Sequence, residues 1–144
     1  VLVGGGSRTE NQDFVSFGRG LGVNVQVLSN LDSTEMTILM KRSTAVIGLA
    51  HGEAFGLTPI ESMALGAPPV FVAEGGYRDT IVDGVNGRLV ARGDFDDWRK
   101  ALIQARDPDT RARWAESGLS RIVELGLSSE NYASQLDERL RSLL

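Results

Sequence analysis

Short apolar runs alternate with helical patterns along the whole chain. Val1-Leu2-Val3 leads into Gly4-Gly5-Gly6-Ser7, and a helix from about Thr9 to Gly18 carries Phe14, Val15 and Phe17 as its apolar residues. Val23–Leu28 alternates at period two, the mark of a strand. Asp32 and Glu35 match a capping box for a helix over Ser33–Lys41, with Met36, Leu39 and Met40 inward. Thr44–Ala50 is a continuous apolar, β-branched run, which predicts a strand buried on both faces. A helix over Pro59–Leu65 closes at Gly66, and Pro69–Ala73 reads as a further buried strand. Asp83-Gly84 and Asn86-Gly87 mark turns before a short strand at Arg88–Val90.

Beyond Arg92 the pattern is purely helical. Phe95–Ala105 carries Trp98, Leu102 and Ala105 on one face, and Asp109–Leu125 carries Ala112, Ala115, Leu119 and Ile122. Glu130–Leu144 carries Ala133, Leu136, Leu140 and Leu143. Strands alternating with helices predict an α/β fold, a Rossmann-like parallel sheet with helices on both faces, ending in a helical tail. Such sheets bind ligands beyond the carboxyl ends of their strands. The informative loops are therefore Gly4–Ser7, Ser29–Asp32, His51–Leu57 and Glu74–Gly76.

Composition narrows the function classes. The 144 residues suit one domain, and 42% hydrophobic with 24% charged residues is ordinary globular composition. A net charge of -4 disfavours a chain-wide footprint for nucleic acid or anionic membrane. The absence of cysteine excludes disulfides, thiolate zinc sites and a cysteine nucleophile. No apolar run approaches the ~20 residues of a membrane span, and no secretion signal opens the chain, so a cytoplasmic location is expected. A strand starting at Val1 rather than a Met suggests a fragment of a longer polypeptide.

The densest chemistry lies in His-Gly-Glu53-Ala-Phe-Gly-Leu-Thr58-Pro-Ile-Glu61. Thr58 has the chemistry of an N-cap and Pro59 fits the first helical position. Gly56 lets a ligand approach the backbone, and free amides at a helix start suit a phosphate or diphosphate. Glu53 and Glu61, acceptor-only carboxylates beside that anion site, suit the hydroxyls of a sugar and a ribose. The same letters also fit a plain capping box, Thr58 with Glu61, and a solvated loop acid at Glu53.

Two glutamates separated by seven residues, with Phe55-Gly56 between them and Ala-Pro-Pro-Val after, resemble the retaining GT-B glycosyltransferases of family four. Glu74-Gly-Gly and Asp83-Gly-Val-Asn-Gly87 follow the nucleotide-sugar-binding C-terminal half of that fold. The resemblance reaches to about Val90, more loosely at Val1–Gly6 and Val25–Leu31. It implies that Glu53 is the catalytic glutamate and bonds donor-sugar hydroxyls. Phe55, Gly56 and Leu57 would present backbone groups to sugar and diphosphate, with Thr58 beside them. Glu61 would hold the ribose, Asn30 and Leu31 in the Ser29–Asp32 loop would border the base, and Gly75 and Gly76 would line the sugar side. His51 would touch the donor or stay peripheral. The partner is then a nucleotide diphosphate sugar, with no metal and no other cofactor.

Departures fall outside the glutamate pair: Leu49-Ala50 replaces Pro-Ser, Asp79 replaces Glu, and Ser129 stands where an aromatic is usual. The family's diphosphate-binding Arg and Lys belong to a unit that would precede Val1, on the sheet's central strand. The acceptor-binding N-terminal GT-B domain would precede it too, so the 144 residues alone are expected to be inactive.

Other readings stay subordinate. Asp94-Phe-Asp96-Asp97 imitates a metal-binding acid motif but opens a helix, where acids belong. Gly4-x-Gly6 lacks the third glycine of a dinucleotide fingerprint. Glu53 and Glu61 could form a glycosidase pair, although the adjoining anion site favours a nucleotide leaving group. Trp98 and Trp114 read as packing. The alternatives to a transferase are a non-catalytic nucleotide-sugar-binding module and a GT-B-like epimerase or hydrolase. The base, the sugar and the acceptor are not legible.

Overall fold

The computed structural model describes residues 1–4 and 6–142. Gly5, in the glycine-rich loop, and Leu143, expected on the last helix's apolar face, lie outside the described residues. Two compact units divide the chain, Val1–Ile38 and Leu39–Leu144.

In the first unit, β1 (Leu2–Val3) pairs in parallel with β2 (Val27–Leu28), in the register Leu2 to Val27 and Val3 to Leu28. The strand expected over Val23–Leu28 is thus much shorter, because ladder pairing exists only opposite the two residues of β1. Val23 instead donates its amide to the Gly18 carbonyl at 2.8 Å. Between the strands, α1 (Arg8–Gly20) starts earlier than its apolar pattern implies, because Ser7 and Glu10 form a reciprocal capping box. The Ser7 amide donates to Glu10 Oε2 at 2.8 Å and the Glu10 amide to Ser7 Oγ at 3.2 Å. Phe14 and Phe17 are exposed; the residue that α1 buries is Gly18, where a Cβ would collide with Val25.

α2 (Ser33–Arg42) follows its sequence closely. Asp32 and Glu35 make the expected capping box, at 2.9 and 2.8 Å. Met40 is buried, and Met36 and Leu39 are half-buried.

The second unit is built on β3 (Val46–Gly48), β4 (Pro69–Val72) and β5 (Arg88–Val90), parallel and side by side in chain order. β4 is buried throughout, and its successive residues face opposite sides. Val70 packs with Val90, Ala101, Ala105 and Trp114, while Phe71 on the other face packs with Tyr77 and Ile81. The expectation that β3 is buried on both faces is not met: Ile47 is 49% exposed. β3 is an edge of its three-stranded sheet, so only one side finds a ladder partner. Gly48 is glycine for a local reason, since a Cβ there would enter the Phe71 ring.

Helices α3 (Leu57–Ala64), α4 (Tyr77–Thr80), α5 (Phe95–Arg106), α6 (Pro108–Leu125) and α7 (Ser129–Arg141) complete the unit. The one-turn α4 has no counterpart in the apolar pattern. α5 buries Ala101 and Ala105, with Trp98 and Leu102 against them, as its pattern predicts. α6 starts at an Asp107 cap and meets the expected inward face in part: Ala115 and Ile122 are half-buried, but Ala112 is exposed. Trp114 and Gly118 are buried, whereas Leu119 is exposed. Trp114 Nε1 donates to the Gly84 carbonyl at 3.1 Å, and Gly118 lets α6 close onto Met63 of α3. α7 buries none of its described residues; Ala133, Leu136 and Leu140 are all exposed, contrary to the expected apolar face.

The turn from α4 to β5 is pinned by Asn86, which is 1% exposed. Its Oδ1 accepts the Val82 amide at 2.8 Å, and its Nδ2 donates to the Thr80 carbonyl and Met63 Sδ. No helix among the described residues is long and apolar enough to cross a membrane.

Candidate functional site

Because β3, β4 and β5 are parallel and adjacent, the segments leaving their carboxyl ends emerge together. These are Leu49–Gly56, Ala73–Gly76 and Ala91–Arg92. They carry most of the residues singled out in the sequence.

α3 opens differently from its capping letters. Gly56 is the N-cap, in the left-handed region at φ 83°, and Leu57, Thr58 and Pro59 are the first three helical residues. Thr58 is therefore not the cap, no side chain caps this end, and the expected Thr58–Glu61 box is absent. The physical reason lies in Glu53, whose Oε1 accepts the Gly56 amide at 3.2 Å and holds the turn two residues earlier. Gly56 has no room for a side chain, since a Cβ would sit 2.7 Å from Cδ1 of Tyr77. An α-helix leaves its first amides without intrahelical partners, and Pro59 contributes none. Leu57 and Thr58 thus present their amides at an end with no acidic residue in its first turn. The helix dipole adds its positive end there. Glu61, the fifth residue of α3, is exposed, as is Leu57.

Gly75 and Gly76 meet this segment from β4. The Gly76 amide donates to the Glu53 carbonyl at 2.9 Å. A Cβ on Gly75 would strike that same carbonyl, and one on Gly76 would strike Ala54 and Phe55. Both glycines thus abut the backbone that carries Glu53. Tyr77, 3% exposed, lies beneath Gly56 with its ring edge-on to Phe71, 4.8 Å between centroids. Burial pushes its hydroxyl pKa up, and the nearby Glu53 carboxylate adds to that shift.

An ion pair that sequence reasoning missed joins the three segments. Arg92 Nε and Nη2 donate to the two oxygens of Glu74 at 2.9 and 2.8 Å. Arg92 Nη1 also donates to the Leu49 carbonyl at 2.9 Å, and Nη2 to that of Ala50 at 3.4 Å. The Arg92 hydrogen bond holds the Glu74 carboxyl below its ordinary range and raises the guanidinium in turn. His51, 76% exposed, places Nδ1 3.4 Å from Glu74 Oε2. Register was the available signal: Val72 pairs with Val90, so residues 74 and 92 stand opposite one another just past their strands.

Asn30 and Leu31 belong to the first unit. Asn30 is exposed in the left-handed conformation at φ 57°, and Leu31 is half-buried. The preceding Ser29 Oγ donates to the Gly4 carbonyl at 2.9 Å, tying this loop to the end of β1. Of the acids after β5, Asp94 caps α5 and Asp97 holds Arg88 through both its oxygens at 3.0 Å, both structural tasks.

Among curated proteins, the D-inositol 3-phosphate glycosyltransferase of Frankia alni is 34% identical over 135 residues, covering 90% of this chain and 33% of that protein. The enzyme of the same name from Actinosynnema mirum is 37% identical over 101 residues, 69% of this chain and 24% of that protein. The chain therefore spans a third or less of the length of these relatives. Among solved structures, sucrose-phosphate synthase from Thermosynechococcus elongatus superposes with a TM-score of 0.79 at 24% identity, covering 99% of this chain and 37% of that one. Anabaena HepE in complex with UDP-glucose gives 0.77 at 23%, covering 95% and 38%. The expected α/β fold is thus shared with both. Residues 1–121 match the family model described as Glycosyl transferases group 1, and the chain belongs to that family.

Proposed function

We propose that this chain is the donor-binding part of a retaining glycosyltransferase that moves a sugar from a nucleotide diphosphate sugar to an acceptor. The observation that carries the proposal is the start of α3, an uncapped helix end with Glu53 folded over it and Glu61 one turn further in. The diphosphate lies against the Leu57 and Thr58 amides. Glu53 takes hydroxyls of the transferred sugar, and Glu61 takes those of the ribose. Phe55 and Gly56 border the sugar, with Gly75 and Gly76 backing that wall and His51 at its rim.

The chemistry follows from where charge develops. As the bond between the anomeric carbon and the diphosphate oxygen breaks, its electron pair goes to that oxygen. Fixed amides and a helix dipole aimed there stabilise the transition state more than the ground state. That positive end does the work a metal ion would do, so transfer proceeds without one. The acceptor site belongs to an N-terminal GT-B domain of the same protein, working in the cytoplasm. D-Inositol 3-phosphate, named in the curated relatives, is the first acceptor to try, and UDP-glucose, bound in HepE, the first donor.

The test uses the full-length protein with UDP-, GDP- and ADP-glucose and product analysis. The expected result is sugar transfer that Glu53→Gln lowers by about a hundredfold or more, because an acceptor charge is lost at the reacting sugar. Binding without turnover would point to a carrier module instead, and an unimpaired Glu53→Gln would remove Glu53 from the mechanism.

A further inference from the structure

We propose that Arg92 is a positioning residue for the sugar-facing Glu53 segment, acting through Glu74; the inference rests on the donor-site reading above. Arg92 bonds both oxygens of Glu74 and also the Leu49 and Ala50 carbonyls. Leu49 and Ala50 are the root from which the Glu53 segment leaves β3. Glu74 immediately precedes Gly75 and Gly76, which abut that segment's backbone, the Gly76 amide donating to the Glu53 carbonyl. One guanidinium therefore fixes both the root and the brace of the segment.

The start of α3 has a separate support. Gly56 rests on the Tyr77 ring, and α3 packs by Met63 against Gly118 of α6. Removing Arg92 thus loosens the Glu53 segment at its root and brace. The Tyr77 and Gly118 contacts keep the Leu57 and Thr58 amides in place even where the bond from the Gly56 amide to Glu53 is weakened. The bidentate pair cannot be reproduced by a lysine, whose point charge reaches one carboxylate oxygen and lacks the planar fork for two carbonyls as well.

The test compares full-length wild type with Arg92→Gln, Arg92→Lys and Glu74→Gln, using the nucleotide sugar that wild type turns over and its nucleoside diphosphate product. Misplacing a reacting group by about 1 Å costs roughly a hundredfold, so Arg92→Gln is expected to lower kcat on that order. Its affinity for the nucleoside diphosphate should stay within about twofold, because that interaction is not made through Arg92. Arg92→Lys should fall between, and the Arg92→Gln/Glu74→Gln double variant should be no slower than Arg92→Gln alone. Equal losses of turnover and of nucleoside diphosphate affinity would overturn the inference, since they would mean a general loss of folding. Wild-type-like kcat in Arg92→Gln would overturn it too, with the donor-site reading intact. A wild-type protein that neither binds the nucleotide nor transfers sugar overturns both.

Discussion

Glu53 and Glu61 share a motif but not a local environment. Glu53 is half-buried and engaged by the Gly56 amide, whereas Glu61 is exposed one turn into α3. The letters Thr58-x-x-Glu61 cannot distinguish this from a capping box, because the deciding residue is a glycine in left-handed geometry held by an acid three positions earlier. Spacing shows which carboxylates are present; backbone conformation decides which of them closes the turn. Glu74 adds a pH dependence. Its pKa is held below the ordinary 4.5 chiefly by the Arg92 hydrogen bond. The pair's contribution to stability is thus complete above about pH 4.5 and fades as acid titrates Glu74 through its lower folded value. Thermal melts of wild type and Glu74→Gln should differ at neutral pH and converge as pH falls below that range.

Elements were legible in proportion to how local their causes are. Asp32 with Glu35 announces α2, because that cap is made by neighbours. The inward face of α6 is set by a distant partner: Gly118 meets Met63, and the Trp114 indole reaches Gly84. A count of apolar residues therefore selects the half-buried Ala115 and Ile122 together with the exposed Ala112 and Leu119, and misses Trp114 and Gly118 at the centre of the contact. α4 is four residues long, below the length at which periodicity carries information. The link from α4 to β5 depends on the Asn86 side chain. Asn86→Ala would leave the buried Thr80 carbonyl short of a partner, a cost of about 1–3 kcal/mol, and would free the part-exposed Val82 amide as well. The expected outcome is a clear drop in the chemical-denaturation midpoint with an unchanged slope.

The two compact units differ in how much they bury. Leu39–Leu144 holds both core clusters, while Val1–Ile38 carries two two-residue strands and exposed Val1, Leu2, Val3, Phe14 and Phe17. Local opening is easiest where few apolar groups are buried. Hydrogen exchange should therefore give two classes of amides, slow at Val70–Val72 and at β5, fast through β1, α1 and β2. A single uniform exchange class would contradict that division. Alternation of strands and helices made the fold class legible, but periodicity cannot say how much each part buries.

Asn-Gly is among the sequences most given to deamidation, in which the following backbone nitrogen attacks the side-chain amide. Asn86-Gly87 is that sequence, yet both ends of the Asn86 amide are held by Val82, Thr80 and Met63, and Gly87 fits closely against Pro69. The folded chain shields its own weak point from chemical ageing, and a molecule that has spent time unfolded would carry the aspartate or isoaspartate that records it.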